Sequence, residues 1–309
     1  MKVLSTGTGI PTVNSVTQIE PLDRNTNPLQ QRGSLSRGLA LLTCLARRNL
    51  PVGLSELAAL SGLDKATAHR LAQTLVEAGY VTQDQGTRAY ALGLQVLDLG
   101  FAALSRLDVR QLAAPYMNEL AVRFERASVS LSVLDGTDAI YIERLSQRRI
   151  SVTVEVQVGS RLPAYCTSMG KALLAALPVA ESSALLRARP LEAWTTRTMT
   201  SVTQLEAELK RVRAIGYAVN DEETALGLRS VAAAVRGADG RPAAALNVAV
   251  PAAEVPVDEL LTNVAPAVVR AAAAVSRHLG RLASAQDDCT HQVTVRDEQV
   301  ARRQLGAGR

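Results

Sequence analysis

One stretch restricts the folds open to this chain more than any other: Leu54 to Tyr90, LSELAALSGLDKATAHRLAQTLVEAGYVTQDQGTRAY. Within it Ala68, Leu71, Ala72, Leu75 and Val76 recur at i, i+3, i+4, i+7 and i+8, which puts them on one face of a helix. A shorter apolar stripe, Leu54, Leu57, Ala58 and Leu60, precedes it, and Ser61-Gly62 separates the two. Asp64 has the short acceptor side chain of an N-cap, and Gly79 tolerates the left-handed conformation that ends a helix. Beyond Gly79, Tyr80–Gln83, Asp84-Gln85-Gly86 and Thr87–Tyr90 read as strand, turn and strand. Two helices joined by a turn and followed by a hairpin predict a winged helix-turn-helix.

The outer face of the second helix carries Lys65, Thr67, His69, Arg70, Gln73 and Thr74. Lys and Arg neutralise phosphates, Arg pairs bidentately with guanine, and Thr and Gln both donate and accept at base edges. A small helical domain also has one solvated polar face, but here the helix spacing, the Gly stop and the wing occur in order. DNA contact is therefore expected from Lys65, Thr67, His69, Arg70 and Thr74, with Arg88 on the wing. The His69 ring has an alternative role, packing against the wing.

With 309 residues the chain exceeds what one hydrophobic core usually covers, so two domains are expected. Nearly half its residues (47%) are hydrophobic, which makes it globular rather than disordered. A net charge of +5 permits nucleic-acid binding without demanding it. Cys44, Cys166 and Cys289 lie far apart with no C-x-x-C pair, and His69, His278 and His291 are equally scattered. This argues against a disulfide framework and a metal site, and suits a reducing cytoplasm. No apolar run approaches the roughly 18 residues of a membrane span, and the N-terminus lacks the apolar segment of a secretory signal. A cytoplasmic protein with no cofactor, no metal and no membrane partner is expected.

Residues 1–33 read as a disordered arm. Ser34 or Ser36 then caps a helix with Leu39, Leu42, Thr43 and Ala46 inward, which Asn49-Leu50-Pro51 breaks. A helix beginning in Leu92–Gly100 runs toward Arg106, and another spans about Val109 to Phe124 with Leu112, Tyr116, Leu120 and Phe124 buried. Asp135-Gly136 turns a hairpin, and the alternation over 152–158 predicts a further strand. VGSRLPAYCTSMGKALLA follows, a Pro-containing loop entering a helix near Thr167 or Ser168. Its unpaired first-turn amides and positive dipole end suit an anionic ligand, with Lys171 either adding charge or pointing to solvent. An amphipathic helix over Val202–Ile215, strands over Arg229–Arg236 and Pro242–Val250, and a helix over about Val257–Leu279 complete an α+β domain. The acidic run Asp221-Glu222-Glu223 reads as exposed turn residues or a partner contact.

The winged helix-turn-helix together with VGSRLPAYCTSMGKALLA and GYAVNDEETALGLRSVAAAVRGADGRPAAALNVAV resembles the IclR family of bacterial transcriptional regulators. RLPAYCTSMGKALLAAL resembles its branch regulating protocatechuate, 4-hydroxybenzoate and β-ketoadipate catabolism. The resemblance covers about residues 34–280 and implies an α+β chain with a winged helix-turn-helix (34–93), a linker helix (94–108) and a GAF-like effector-binding domain (109–281); by composition a disordered arm (1–33) precedes these and a polar tail (282–309) follows. It implies dimers or tetramers on double-stranded promoter DNA, and contact with RNA polymerase. Carried over by position, its effector site falls on Ser168, Met169, Asn220, Leu228, Ser230 and Asn247. Tyr165 and Cys166 either line the pocket or pack within the loop. Ala249 stands where some relatives have a hydroxyl, and Asn220 where some have Asp.

The expected function is activation of an aromatic-acid catabolic operon, switched by a small aromatic or dicarboxylic acid. A repressor of the same type and a DNA-binding oligomer without a ligand are the alternatives. Ser168-Met169-Gly170-Lys171 also spells S-x-x-K, but the S-D-N and K-T-G elements of serine acylases are absent, so no enzyme is expected.

Overall fold

The computed structural model describes residues 33–48, 50–105, 108–146 and 156–281. The expected arm, the tail and most of the strand read over 152–158 lie outside them; 156–158 are irregular. The chain divides into two compact units, one up to Arg106 and one from Leu107.

In the first unit, α1 (Ser34–Arg48), α2 (Leu54–Ser61) and α3 (Lys65–Glu77) lead into a hairpin of β1 (Val81–Gln83) and β2 (Tyr90–Leu92), then α4 (Gln95–Ser105). Gly62 ends α2 at φ 65°, and the Asp64 carboxylate accepts the Thr67 N–H at 2.9 Å to start α3. Gly79, at φ 77°, turns the chain from α3 into the wing. A methyl on Gly93 would overlap the Gly79 carbonyl, so two glycines let the chain pass itself closely at the wing's base. Val52 pairs with Tyr90 beside the hairpin, and Leu41, Leu45, Leu57, Ala72 and Val81 close the core around them. The inner face of α1 differs from expectation. Gly38, Leu41 and Leu45 are buried, Leu42 is half-buried, and Leu39, Thr43 and Ala46 are exposed. Leucines stand on both sides of α1, so apolarity alone does not choose its rotation.

The second unit is a six-stranded antiparallel sheet in the order β5-β4-β3-β8-β7-β6. Its strands are β3 (Ser128–Asp135), β4 (Asp138–Ser146), β5 (Arg161–Pro163), β6 (Ala218–Asp221), β7 (Leu228–Arg236) and β8 (Pro242–Pro251). The first helix, α5 (Asp108–Arg123), packs on β3, β4 and β8. Its buried face is Val109, Ala113, Met117, Leu120 and Ala121. The expected Leu112, Tyr116 and Phe124 are only half-buried, and Tyr116 meets His278. The sheet takes the flank of α5 that carries Val109, Ala113 and Met117, and of the expected stripe only Leu120 is buried.

The sheet's alternation sorts its two faces. Ser128, Ser130 and Ser132 point one way along β3, and Val129 and Leu131 the other; Asn247 stands opposite Ser130 and Ala249 opposite Ser128. The polar face receives α6 (Ser168–Ala176), which also packs on α8 (Val202–Ile215) and touches α7 (Val179–Arg187). Eight consecutive residues of α6, Ser168 to Ala175, are buried, as in a helix covered on every side. A turn at Val257–Glu259 passes through a wide π turn, Leu260–Val264, into a helix over 265–281, together α9.

Candidate functional site

Where α6 begins, the polar end of the sheet and the helix enclose a cavity with about 40 Å³ of room for the centre of a water-sized sphere. Thr167 starts the helix: its hydroxyl accepts the Gly170 N–H at 3.0 Å and donates to the Pro163 carbonyl at 3.4 Å. A methyl on Gly170 would overlap the Ala164 backbone, so this glycine lets α6 lie directly on the loop that enters it.

Ser168, Asn220, Leu228, Ser230 and Asn247, all named from the sequence, line this cavity together with Ala249. Ser168 Oγ and Ser230 Oγ share a hydrogen bond of 2.7 Å that joins α6 to β7. Asn247 Oδ1 accepts the Ser130 N–H at 3.1 Å. Asn220 shapes the β6–β7 loop: its Nδ2 donates to Thr224 Oγ1 at 2.7 Å and its Oδ1 accepts the Glu223 N–H at 2.8 Å. Tyr165, Cys166 and Met169 do not line the cavity and belong instead to the apolar cluster around α6. The Tyr165 hydroxyl donates to the Glu192 carbonyl at 2.6 Å, and burial pushes both it and the Cys166 thiol up to about 12.

Other lining residues were not named from the sequence: Ser128, Tyr141, Arg144, Thr167 and Thr224 among them. Tyr141 and Arg144 are three apart, which strict alternation places on opposite faces of a strand. A bulge in β4 removes the conflict by setting Tyr141 opposite Ser132 and Arg144 opposite Ser130. Burial holds the Tyr141 phenol near 12 and pulls the Arg144 guanidinium below its ordinary value. The Ser128 hydroxyl is buried and has no hydrogen-bond partner among the described residues.

Lys171 and Glu223 correct the reading of both segments. Lys171 is buried, neither solvated nor facing the cavity, and its Nζ donates to Glu223 Oε1 at 2.5 Å. Glu223 is buried as well, although the acidic run reads as an exposed turn; desolvation raises its carboxyl above the ordinary range while Lys171 pulls it back. Asp221 and Glu222 are held by Arg197 and Arg229. With Lys171 committed to Glu223 and Ser168 to Ser230, the S-x-x-K spelling does not assemble a nucleophile and base.

In the first unit, Lys65, His69, Arg70, Thr74 and Arg88 are exposed and Thr67 is half-buried. Gln73 turns away, its amide donating to Gln83 Oε1 at 3.3 Å and Tyr90 Oη at 3.4 Å. Asp84 holds the wing turn through the Thr87 N–H at 2.6 Å and the Gly86 N–H at 3.1 Å, and Arg88 sits there at φ 58°.

Residues 101–277 match the family model described as bacterial transcriptional regulator IclR C-terminal, and residues 34–85 match the IclR helix-turn-helix domain. The chain belongs to the IclR family. It is a transcriptional regulator with a DNA-binding helix-turn-helix followed by an effector-binding domain, and its family is one of regulators rather than enzymes. It is similar to the Pca regulon regulatory protein of Pseudomonas putida, 35% identical over 238 residues, which cover 77% of this chain and 81% of that protein. The transcriptional repressor IclR of Escherichia coli (strain K12) is 32% identical over 249 residues, covering 80% and 90%. A solved transcriptional regulator from Rhodococcus sp. RHA1 superposes with a TM-score of 0.70 at 40% identity, covering 81% of this chain and 98% of its own. Among the described residues, no helix of this IclR-family chain is long and apolar enough to cross a membrane.

Proposed function

We propose that this IclR-family regulator activates an operon for the catabolism of an aromatic acid and is switched by a small carboxylic acid bound beside Ser168. The observation that carries the reading is the cavity itself, where hydroxyls and amides from α6, β3, β6, β7 and β8 converge on one enclosed polar space. Its likeness to a protein named for the Pca regulon supports the aromatic-acid assignment. Lys65, Thr67, His69, Arg70, Thr74 and Arg88 are the proposed DNA contacts, within a proposed winged unit over 34–93 followed by a linker segment over 94–108, which includes α4, and an effector domain over 109–281. Leu35 and Leu39 on α1 and Leu97 and Phe101 on α4 are exposed apolar side chains and support self-association through these helices. A homodimer, or a tetramer of two, matches half-sites one helical turn or a multiple of it apart. RNA polymerase is the partner of an activator.

Calorimetric titration of the full chain with a panel of aromatic and dicarboxylic acids tests the ligand. Heat that is lost in Asn247→Leu and in Ser168→Trp supports the assignment, whereas no heat from any acid favours a regulator that only oligomerises on DNA. Likeness to the Escherichia coli protein named as a repressor favours the opposite sign of control. Transcription from the target promoter with and without the regulator separates the two: loss of transcript on deleting the regulator supports activation, and a rise supports repression.

A further inference from the structure

We propose that the loop between β6 and β7, residues 222–227, is a hinged lid over the cavity, held shut by a strap from the connection between α7 and α8. The proposal rests on the reading of the cavity as the effector site and adds to it how a ligand enters.

The room of about 40 Å³ in the cavity suits about three waters, too little for a ring that bears a carboxylate. A wall must move before such an acid enters, and the described walls are unequal. The helix α6 is buried along its length, and β4, β3, β8 and β7 are hydrogen-bonded to neighbours on both edges. At one edge of the sheet lies β5, but the loop that leaves it is clamped where Gly170 of α6 meets the Ala164 backbone. At the other edge lies β6, and the loop that leaves it carries Thr224 into the cavity wall.

That loop has hinged ends and a costly closed form. Glu222 and Gly227 both sit in the left-handed region, at φ 63° and 82°, and for Glu222 that conformation is strained. The segment buries Ala225 and leaves Leu226 60% exposed. Glu223 Oε1 accepts from Lys171, but its buried Oε2 has no partner among the described residues. Opening relieves the strain at Glu222 and returns Glu223 Oε2 to water. Polar bonds from the strap oppose it. Thr195 Oγ1 donates to the Glu222 carbonyl at 2.7 Å, and Thr198 Oγ1 to the Glu223 carbonyl at 2.6 Å. The same two hydroxyls order the strap itself by accepting the Trp194, Thr195 and Arg197 N–H groups. Arg197 Nη1 adds an ion pair to Asp221 Oδ2 at 2.7 Å. A segment held by a few polar bonds and little apolar area opens well below the cost of global unfolding.

Hydrogen exchange on the ligand-free, full-length protein tests the lid, and stopped-flow fluorescence of Trp194, the single tryptophan, tests the gate. The Glu222, Glu223, Gly227 and Leu228 N–H groups are bonded within the closed loop, so their exchange reports its opening. Thr195→Val with Thr198→Val should speed that exchange about 10-fold or more, as the loss of two hydrogen bonds of ordinary net strength requires, and leave the middle of β7 and β8 unchanged. The association rate of benzoate should rise by a similar factor. Thr195→Ser with Thr198→Ser keeps both hydroxyls and should match wild type. Loop amides that exchange only together with β7 and β8, or that ignore the strap, overturn the lid whether or not an acid binds. Faster exchange with an unchanged benzoate association rate also overturns it and leaves the effector site standing. If neither wild type nor the variants bind benzoate, succinate or any other acid, the effector-site reading falls and the gate falls with it.

Discussion

Replacing Lys171 with methionine should be among the most damaging single changes in the effector unit, and removing its partner as well should repair most of the damage. Both groups are buried, with side-chain exposures of 1% and 8%, and they meet at 2.5 Å. At an effective dielectric of about 20, two unit charges at that distance attract by about 7 kcal/mol. Removing both ions from water costs several kcal/mol each, so the pair as a whole contributes close to nothing. Breaking it is another matter, because Lys171→Met leaves the Glu223 carboxylate buried and uncompensated, at a cost of about 3–5 kcal/mol. Lys171→Met with Glu223→Leu removes both charges and should fall within about 1–2 kcal/mol of wild type. The pH dependence has a definite sign. Burial raises the Glu223 carboxyl in the folded state, and loss of Lys171 raises it further. A raised carboxyl favours folding at low pH and loses that contribution as pH rises through its folded value, so the Lys171→Met defect should shrink from pH 7.5 to pH 5. Trp194, the single tryptophan, reports the unit's urea unfolding by fluorescence. Equal instability of the single and double variants, or a single variant as stable as wild type, would refute the reasoning.

Gly170→Ala should destabilise the same unit by about 1–3 kcal/mol and weaken acid binding, because its methyl forces α6 off the Ala164 backbone; urea unfolding and calorimetry read the two effects. In the DNA-binding unit, N–H donors from Thr67 and Thr87 hold the Asp64 and Asp84 carboxyls below 3.8. Lowered carboxyls stabilise above their unfolded value and lose that contribution as pH falls through the folded one. Circular-dichroism melts should therefore decline modestly as pH falls through the carboxylate range, and Asp64→Asn should flatten part of that decline. Arg70→Ala should cost about 1–3 kcal/mol of base discrimination, whereas Lys65→Ala should weaken all duplexes alike and reduce the salt slope by about 1. Protection of the promoter by both variants at wild-type levels would move recognition off α3.

The winged unit was legible because α3 buries Ala68 and Ala72 and exposes Lys65, His69, Arg70 and Thr74, with Asp64 and Gly79 marking its ends. Where both flanks of a helix are apolar the signal fails, and α1 and α5 are each rotated from the expected face. The cavity was half legible. Ser168, Asn220, Ser230 and Asn247 sit on regular elements whose positions follow the family pattern, and the sheet register brings them together. Arg144 was hidden by the bulge in β4, a local extra residue that no alternation reveals. Tyr165 and Cys166 lie in a loop, where the direction of a side chain follows from tertiary contacts such as the bond to Glu192 and not from spacing. The Lys171–Glu223 pair joins positions 52 apart in sequence, and local polarity read each member as solvated.

The central claim is that an acid bound beside Ser168 changes how α3 engages DNA. Linkage makes it measurable: the factor by which the acid alters affinity for promoter duplex must equal the factor by which that duplex alters affinity for the acid. Fluorescence anisotropy on a duplex from upstream of the regulated operon, with and without saturating acid, gives the first factor, and calorimetry on the DNA-bound protein gives the second. The account predicts equal factors of about 5 to 150, both falling to one in Ser168→Trp. An acid that binds the cavity while DNA affinity stays unchanged would contradict it.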